Sequence, residues 1–266
     1  IESRKWKMKM DIITIGKFTM HGYGLMIAIG VLACIALAVS RAKKNHLKEE
    51  AVMDIAIYGL VAGFIGAKLL FVIVEFKSFL KNPLGLLGSE GFVVYGGIIF
   101  GVLAAIIYCK WKNYKFLEYF DLCAPSIALA QGFGRIGCFL AGCCYGRETT
   151  SFLGVTFPEG CFAPAGIKLL PTQLFSSAGD FLITGILLWY YKRNKVTGNV
   201  GALYMLLYGI GRFLIEFLRS DDRGGFGIFS TSQWISFVIV AGSLLLFWKN
   251  KQNADKNKEK QAEKSE

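Results

Sequence analysis

Residues 117–140 read LEYFDLCAPSIALAQGFGRIGCFL, a run long and apolar enough to cross a lipid bilayer as one helix, yet it contains Arg135. A bilayer core of ~30 Å takes about 20 apolar residues per helical span. Residues 201–218 repeat the pattern around Arg212. An ionisable group inside a span is costly, and it is kept mainly where it faces a protein-lined or wet cavity and meets an opposite charge. What these two arginines hold is therefore the question the sequence poses first.

Runs of the same kind recur along the chain. Of its 266 residues, 54% are hydrophobic, 22 are Phe and only 18% are charged. Apolar segments extend from Tyr23 to Ser40, Ala51 to Val74, Gly91 to Tyr108, Leu117 to Leu140, Leu174 to Tyr191, Gly201 to Leu218 and Trp234 to Trp248. They predict an all-α integral membrane protein of about seven transmembrane helices with small extracytoplasmic loops. Residues 1–20 read as an interfacial N-terminal segment in which Arg4, Lys5, Lys7 and Lys9 alternate with Trp6 and methionines. Residues 21–248 form the polytopic membrane domain. Residues 249–266 form a Lys/Glu-rich cytoplasmic tail, and from Gln252 the absence of an apolar face predicts disorder.

Basic residues orient the threading. The clusters at Arg41 to Lys44, Lys110 to Lys115 and Lys192 to Lys195, with the tail, fall on one side, which the positive-inside rule makes cytoplasmic. The net charge of +11 is then topology and contact with anionic lipid, with no nucleic acid partner implied. Cys34, Cys109 and Cys123 read as small buried hydrophobes. Cys138, Cys143, Cys144 and Cys161 cluster on the opposite side, where disulfides can form, although their pairing does not follow from sequence.

With this threading the unusual residues converge on one depth near the outer leaflet. Arg135, Arg212, Glu216 and Lys68 lie towards the outer ends of outward-running spans; His21, Tyr23, Tyr95, Gly96 and Gly97 lie near the outer ends of inward-running ones. Arg212 and Glu216 are four apart and share a helix face. Lys68, Arg135 and Arg212 against Glu216 leave an excess of cations, which an anionic ligand would balance. A phospholipid phosphate suits the planar donor fork of arginine. Glycines flank these positions, among them Gly134, Gly137, Gly209, Gly211, Gly63 and Gly66, and either pack helices closely or leave room for lipid. The charged, glycine-rich stretch from Ser220 to Gly227 suits a gate above the layer.

Several of these pieces resemble one family. Gly134-Arg135-Ile136-Gly137-Cys138-Phe139, preceded by Asp121 and Ala124-Pro125, is similar to the signature of the prolipoprotein diacylglyceryl transferases. His21-Gly22-Tyr23-Gly24, Pro171-Thr172-Gln173-Leu174-Phe175, Tyr208 to Arg219 and Ser232-Gln233-Trp234 follow in the family's order. The resemblance implies a transferase in the bacterial cytoplasmic membrane, multi-pass, with its site facing the outer leaflet. It would take the diacylglyceryl group of phosphatidylglycerol and place it on the lipobox cysteine thiol of a preprolipoprotein. Arg135 and Arg212 would hold the phosphate, Glu216 would orient Arg212, and Tyr23, His21, Lys68, Gly96, Gly97, Gly134 and Tyr208 would line the lipid site among membrane lipids. No cofactor and no metal are indicated.

The chain departs from the family pattern in its acceptor half. Tyr95 stands where a His usually precedes the Gly-Gly pair; Cys138 replaces an Asn; Ala141-Gly142-Cys143-Cys144 replaces an Asn-Gly-Glu segment; Leu170 replaces a second His. Tyr95, His21 and Glu216 are then the candidates for handling the acceptor's proton, and Cys138, Cys143, Cys144 and Cys161 are either reactive thiols or disulfide partners. Two alternatives follow. One is a divergent relative using the same phospholipid donor with a different acceptor. The other is a non-catalytic phospholipid-binding or transport protein.

Overall fold

The structure, a computed structural model, describes residues 11–15, 18–89, 91–194, 196–220, 225–226 and 228–262. Helices dominate: α1 (Gly22–Lys44), α2 (Glu49–Val74), α3 (Phe76–Lys81), α4 (Pro83–Gly88), α5 (Val94–Trp111), α6 (Phe116–Ala141), α7 (Thr172–Arg193), α8 (Asn199–Glu216) and α9 (Thr231–Ala262). Three short antiparallel pairs accompany them: β1 (Asp11–Ile15) with β2 (Phe18–His21), β3 (Val155–Thr156) with β4 (Lys168–Leu169), and β5 (Gly225–Phe226) with β6 (Phe229–Ser230). Each of the seven expected apolar segments falls on one of the long helices.

Four of those helices are long and apolar enough to cross a membrane: α1, α2, α5 and, over Thr231–Lys256, α9. The helices α6, α7 and α8 reach 26, 22 and 18 residues but are more polar. They carry Arg135, Asp180 and Arg212, and the cost of those groups in lipid is what sets these helices apart.

Contacts divide the chain into two compact units, one of residues 1–37 and 120–266 and one of residues 38–119. In the second unit α2 packs along α5 through facing glycines. A Cβ on Gly66 would sit 2.6 Å from the Gly96 carbonyl oxygen, and one on Gly63 would touch the Gly97 carbonyl at 3.4 Å. Small residues let the two backbones approach this closely. Tyr108 donates to Asp54 at 2.6 Å and ties the helices at one end. The outer faces of α2 and α5 stay apolar, with Phe64, Ile65, Ile98 and Ile107 more than half exposed. A helix apolar all round belongs in a protein core or a membrane.

In the first unit α1 lies on α6, where a Cβ on Gly137 would touch Tyr23 Cδ2 at 3.2 Å and Met26 Cβ at 3.3 Å. The start of α8 is fastened to α6 by Asp121, which is 5% exposed. Its two carboxylate oxygens accept from the backbone N–H of Gly198 at 2.6 Å and of Gly201 at 2.7 Å. Orphan amides and the positive end of the helix dipole make a carboxylate favourable there. Gly198 sits at φ 91°, a region that favours glycine, and a Cβ would also collide with Asn250.

That contact corrects one expectation. The tail predicted to be disordered from Gln252 is part of α9, which runs on to Ala262. Asn250 is 5% exposed and donates to Asn199 Oδ1 at 3.1 Å. With its start anchored, α9 continues through Lys, Glu, Gln and Ala, all good helix formers that need no apolar face. The basic residues expected in the N-terminal segment, from Arg4 to Lys9, lie outside the described residues, as do residues 221–224 and 227 of the expected gate.

Candidate functional site

An open-mouthed cleft of about 100 Å³ lies among α6, α7 and α8, lined by Arg135, Asp180, Tyr208, Gly211 and Arg212, with Phe175, Ser176 and Ile183 among its other walls. Arg212 is held from two sides. Its Nη2 lies 2.8 Å from Glu216 Oε2, one turn on in α8, and donates to Ser232 Oγ at 2.8 Å. The two side chains of the ion pair are only 10% and 6% exposed. Ser230 Oγ in turn donates to Glu216 Oε1 at 2.9 Å.

The serines are placed by the local chemistry of a helix start. Ser230 and Gln233 form a reciprocal cap on α9: the Gln233 N–H donates to Ser230 Oγ at 3.2 Å, and the Ser230 N–H donates to Gln233 Oε1 at 3.0 Å. This is the capping-box arrangement, which satisfies amides that a helix leaves orphaned. Here the same serine also buttresses Glu216, so the α9 cap and the Arg212 ion pair are one network.

Two features leave donors of the arginines unused. Arg212 Nη1 is buried without a hydrogen-bond partner, and Arg135 makes no hydrogen bond or ion pair among the described residues. An unsatisfied buried donor of this kind is costly unless a ligand completes it. The residues just before each arginine, Gly134 and Gly211, have nothing within 4 Å of an added Cβ. Of the two, Gly211 lines the cleft with Arg212, whereas Gly96 and Gly97 have packing roles in the second unit.

Asp180 changes the charge count made from the sequence. It lines the same cleft, is 6% exposed, and acts electrostatically on Arg135, so the arginines meet two carboxylates and not one. The signal was present in the sequence. A single carboxylate in the otherwise apolar run from Leu174 to Tyr191 is the same kind of anomaly as the arginines. Ser230 was equally legible, as the first position of a Ser-x-x-Gln pattern before an apolar run.

The first unit thus brings together Arg135, Tyr208, Arg212 and Glu216. Tyr208 stacks on Tyr204 with ring centroids 5.9 Å apart, and Tyr204 donates to Gln131 Oε1 at 2.9 Å. Tyr23, 44% exposed, lies over Gly137. The side chain of His21 lies outside the described residues. Lys68, Tyr95, Gly96 and Gly97 belong to the second unit. There Lys68 donates to the carbonyls of Ser89 at 2.6 Å and Gly91 at 3.3 Å, and its ammonium lies 5.0 Å from the Phe92 ring. Tyr95 is 36% exposed near the start of α5.

Beyond α6 the chain turns through Gly142 into a loop tied to α7 and α8. The carbonyls of Cys143 and Cys144 accept from Gln173 Nε2 at 2.7 Å and Thr172 Oγ1 at 2.8 Å. The Arg147 N–H donates to the Leu218 carbonyl at 2.9 Å. All seven cysteines stand as thiols. Cys161 packs beside Gly142 in an apolar cluster with Phe157, Ala163 and Leu169, while Cys138, Cys143 and Cys144 bring their sulfurs together. S–H donation from Cys138 and Cys143 pulls the Cys144 thiol down from the ordinary range, and the same crowding of sulfurs pushes Cys143 up.

Apolar membrane-crossing helices and a buried arginine cleft define an α-helical integral membrane protein built around a charged site. The chain belongs to the prolipoprotein diacylglyceryl transferase family, whose model matches residues 10–249. It is similar to the phosphatidylglycerol–prolipoprotein diacylglyceryl transferase of Clostridium tetani, at 48% identity over 88% of this chain and 95% of the relative. A Clostridium perfringens protein of that name, numbered 2, is 46% identical over 87% of this chain and 91% of its own length. That of Finegoldia magna is 36% identical over 90% and 94%.

Proposed function

We propose that this protein transfers the diacylglyceryl group of phosphatidylglycerol to the lipobox cysteine thiol of a preprolipoprotein. The observation that carries the donor half is the cleft itself, which Arg135 and Arg212 line together and in whose wall Gly211 leaves space, while Nη1 of Arg212 has no hydrogen-bond partner among the described residues. A phosphodiester fits both donors. The names of the relatives support the donor and the class of acceptor.

In this reaction the acceptor thiolate forms a C–S bond to the glyceryl carbon as that carbon's bond to the phosphate oxygen breaks. Glycerol phosphate departs with the electron pair, and the thiol proton goes to a base. Arg135 and Arg212 offset the charge that grows on the leaving phosphate, each donor worth about 3 kcal/mol of barrier. Glu216, Ser230 and Ser232 position Arg212. Tyr23 and Tyr208 line the lipid, and Tyr95 serves the acceptor side. All seven long helices cross the bacterial cytoplasmic membrane, with the basic connections inside and the cleft open to the outer leaflet, where both substrates are found.

The test is turnover of labelled phosphatidylglycerol by the purified protein in detergent with a lipobox peptide. Thioether formation on the peptide cysteine is the expected result. Lipid turnover that requires a hydroxyl or amine acceptor instead, or lipid binding with no turnover under any condition, would overturn it.

A further inference from the structure

We propose that Cys138, Cys143 and Cys144 form a binding site for one thiophilic divalent cation of the zinc class. Their three Sγ atoms lie within 4.8 Å of one another. Zinc–thiolate bonds of about 2.3 Å in a tetrahedron set sulfurs about 3.8 Å apart, so the trio needs to close by about 1 Å at most. Soft sulfur donors in this number select zinc, cadmium or cobalt over magnesium and calcium. The sequence alone points to no metal; the site arises because the end of α6 and the turn after it bring three separate thiols to one place.

The backbone that carries the sulfurs is fixed from outside the cluster. Cys138 belongs to the last turn of α6, and Cys144 holds a left-handed φ of 64°. Thr172 and Gln173, each 1% exposed, grip the carbonyls of Cys144 and Cys143. None of these bonds uses a sulfur, so metal binding keeps them and gives up only the S–H contacts within the trio, among them Cys143 Sγ to the Cys138 carbonyl at 3.6 Å. Cys161 is committed to the apolar cluster around Phe157, which leaves three protein ligands and one open coordination position. That position takes water or an exogenous donor.

Charge balance favours the same occupant. Binding replaces three S–H protons, released to solvent, with one dication, and the resulting centre carries a net charge of −1. Arg135 and Arg219 both act electrostatically on Cys144, so the cations around the trio offset that charge. The proposal stands apart from the lipid-transfer reading, because it concerns only these thiols and the ion they hold.

Cobalt substitution tests it. The full chain, purified in detergent under reductant and freed of metal with a chelator, is titrated with Co(II). One cobalt per chain is expected, with thiolate-to-cobalt charge-transfer absorption and the visible bands of a tetrahedral centre, both lost on adding Zn(II). Cys138→Ser, Cys143→Ser and Cys144→Ser should each weaken binding at least tenfold, while Cys161→Ala keeps the spectrum. Circular dichroism identifies any variant that has lost its helices, and Cd(II) charge transfer in the unsubstituted protein gives a reading that needs no variant. Absence of thiolate charge transfer with both metals, its survival in all three serine variants, or a disulfide among the three in protein purified under reductant would overturn the proposal.

Discussion

Arg212 and Glu216 stand one turn apart in α8 with Nη2 2.8 Å from Oε2, while Nη1 of the same guanidinium is buried with no hydrogen-bond partner among the described residues. The carboxylate and Ser232 therefore fix the orientation of the fork without using it up. Arg212 and Arg135 both line the cleft among α6, α7 and α8. An arrangement that only neutralised a buried arginine would leave no donor over.

Arg212→Ala and Arg135→Ala should each lower diacylglyceryl transfer by about 10²–10³, the loss found when one preorganised donor to a developing anion is removed. Arg212→Lys keeps the charge but not the fork shared with Ser232 and Glu216, and should recover only part of the rate. Initial rates with labelled phosphatidylglycerol decide this, and full activity in both alanine variants would remove the phosphate clamp.

Glu216→Gln leaves a buried guanidinium without its counter-charge, a loss of about 3–5 kcal/mol for a broken buried pair. The thermal midpoint in detergent should fall, and added phosphatidylglycerol should raise it more in the variant than in the parent, because a bound phosphate supplies the missing anion. An unchanged midpoint would mean the pair contributes nothing to holding α8.

Two glycine variants should part company. Gly211→Ala adds a Cβ with no atom within 4 Å, in the wall of the cleft that Arg212 lines, so it should leave the thermal midpoint intact while raising KM for the lipid severalfold. Gly96→Leu runs into the Gly66 carbonyl and Leu70, and should destabilise the α2–α5 pair. Equal effects on KM and midpoint in both would contradict the open space at Gly211.

Asp121→Ala removes two charge-assisted bonds to the start of α8, each worth about 1.5–3 kcal/mol. Denaturation of the helical signal should come at lower temperature than in Asn250→Ala, which gives up one neutral bond. The reverse order would place the anchor of α8 on α9 and not on α6.

Tyr95→Phe should slow thioether formation by about 10²-fold, within the range for losing a proton-transfer group, and leave phosphatidylglycerol binding unchanged. Equal rates for the two proteins would take Tyr95 out of the proposed acceptor side.

Much of this was legible along the chain. Hydrophobic runs fall on each of the seven long helices, because a long apolar stretch announces itself by composition, although the last run stops at Trp248 while α9 goes on to Ala262. Arg135, Arg212 and Glu216 stood out for the complementary reason, being too costly to keep in an apolar run without a use. Asp180 carries the same signal. The helical tail is not legible in this way, because Asn250 at its root docks against Asn199 and Gly198, a contact no local pattern encodes.

The sequence by itself determined the helical membrane class, the apolar segments of the long helices and the residues too charged to be accidental, since each rests on local hydrophobicity and spacing. Tertiary structure alone decided that Ser230 and Ser232 brace Arg212, that Asp180 shares its cleft, that Gly96 packs a helix, and that three cysteines out of seven meet. Those outcomes depend on which helix faces which, set by packing between residues far apart in the chain.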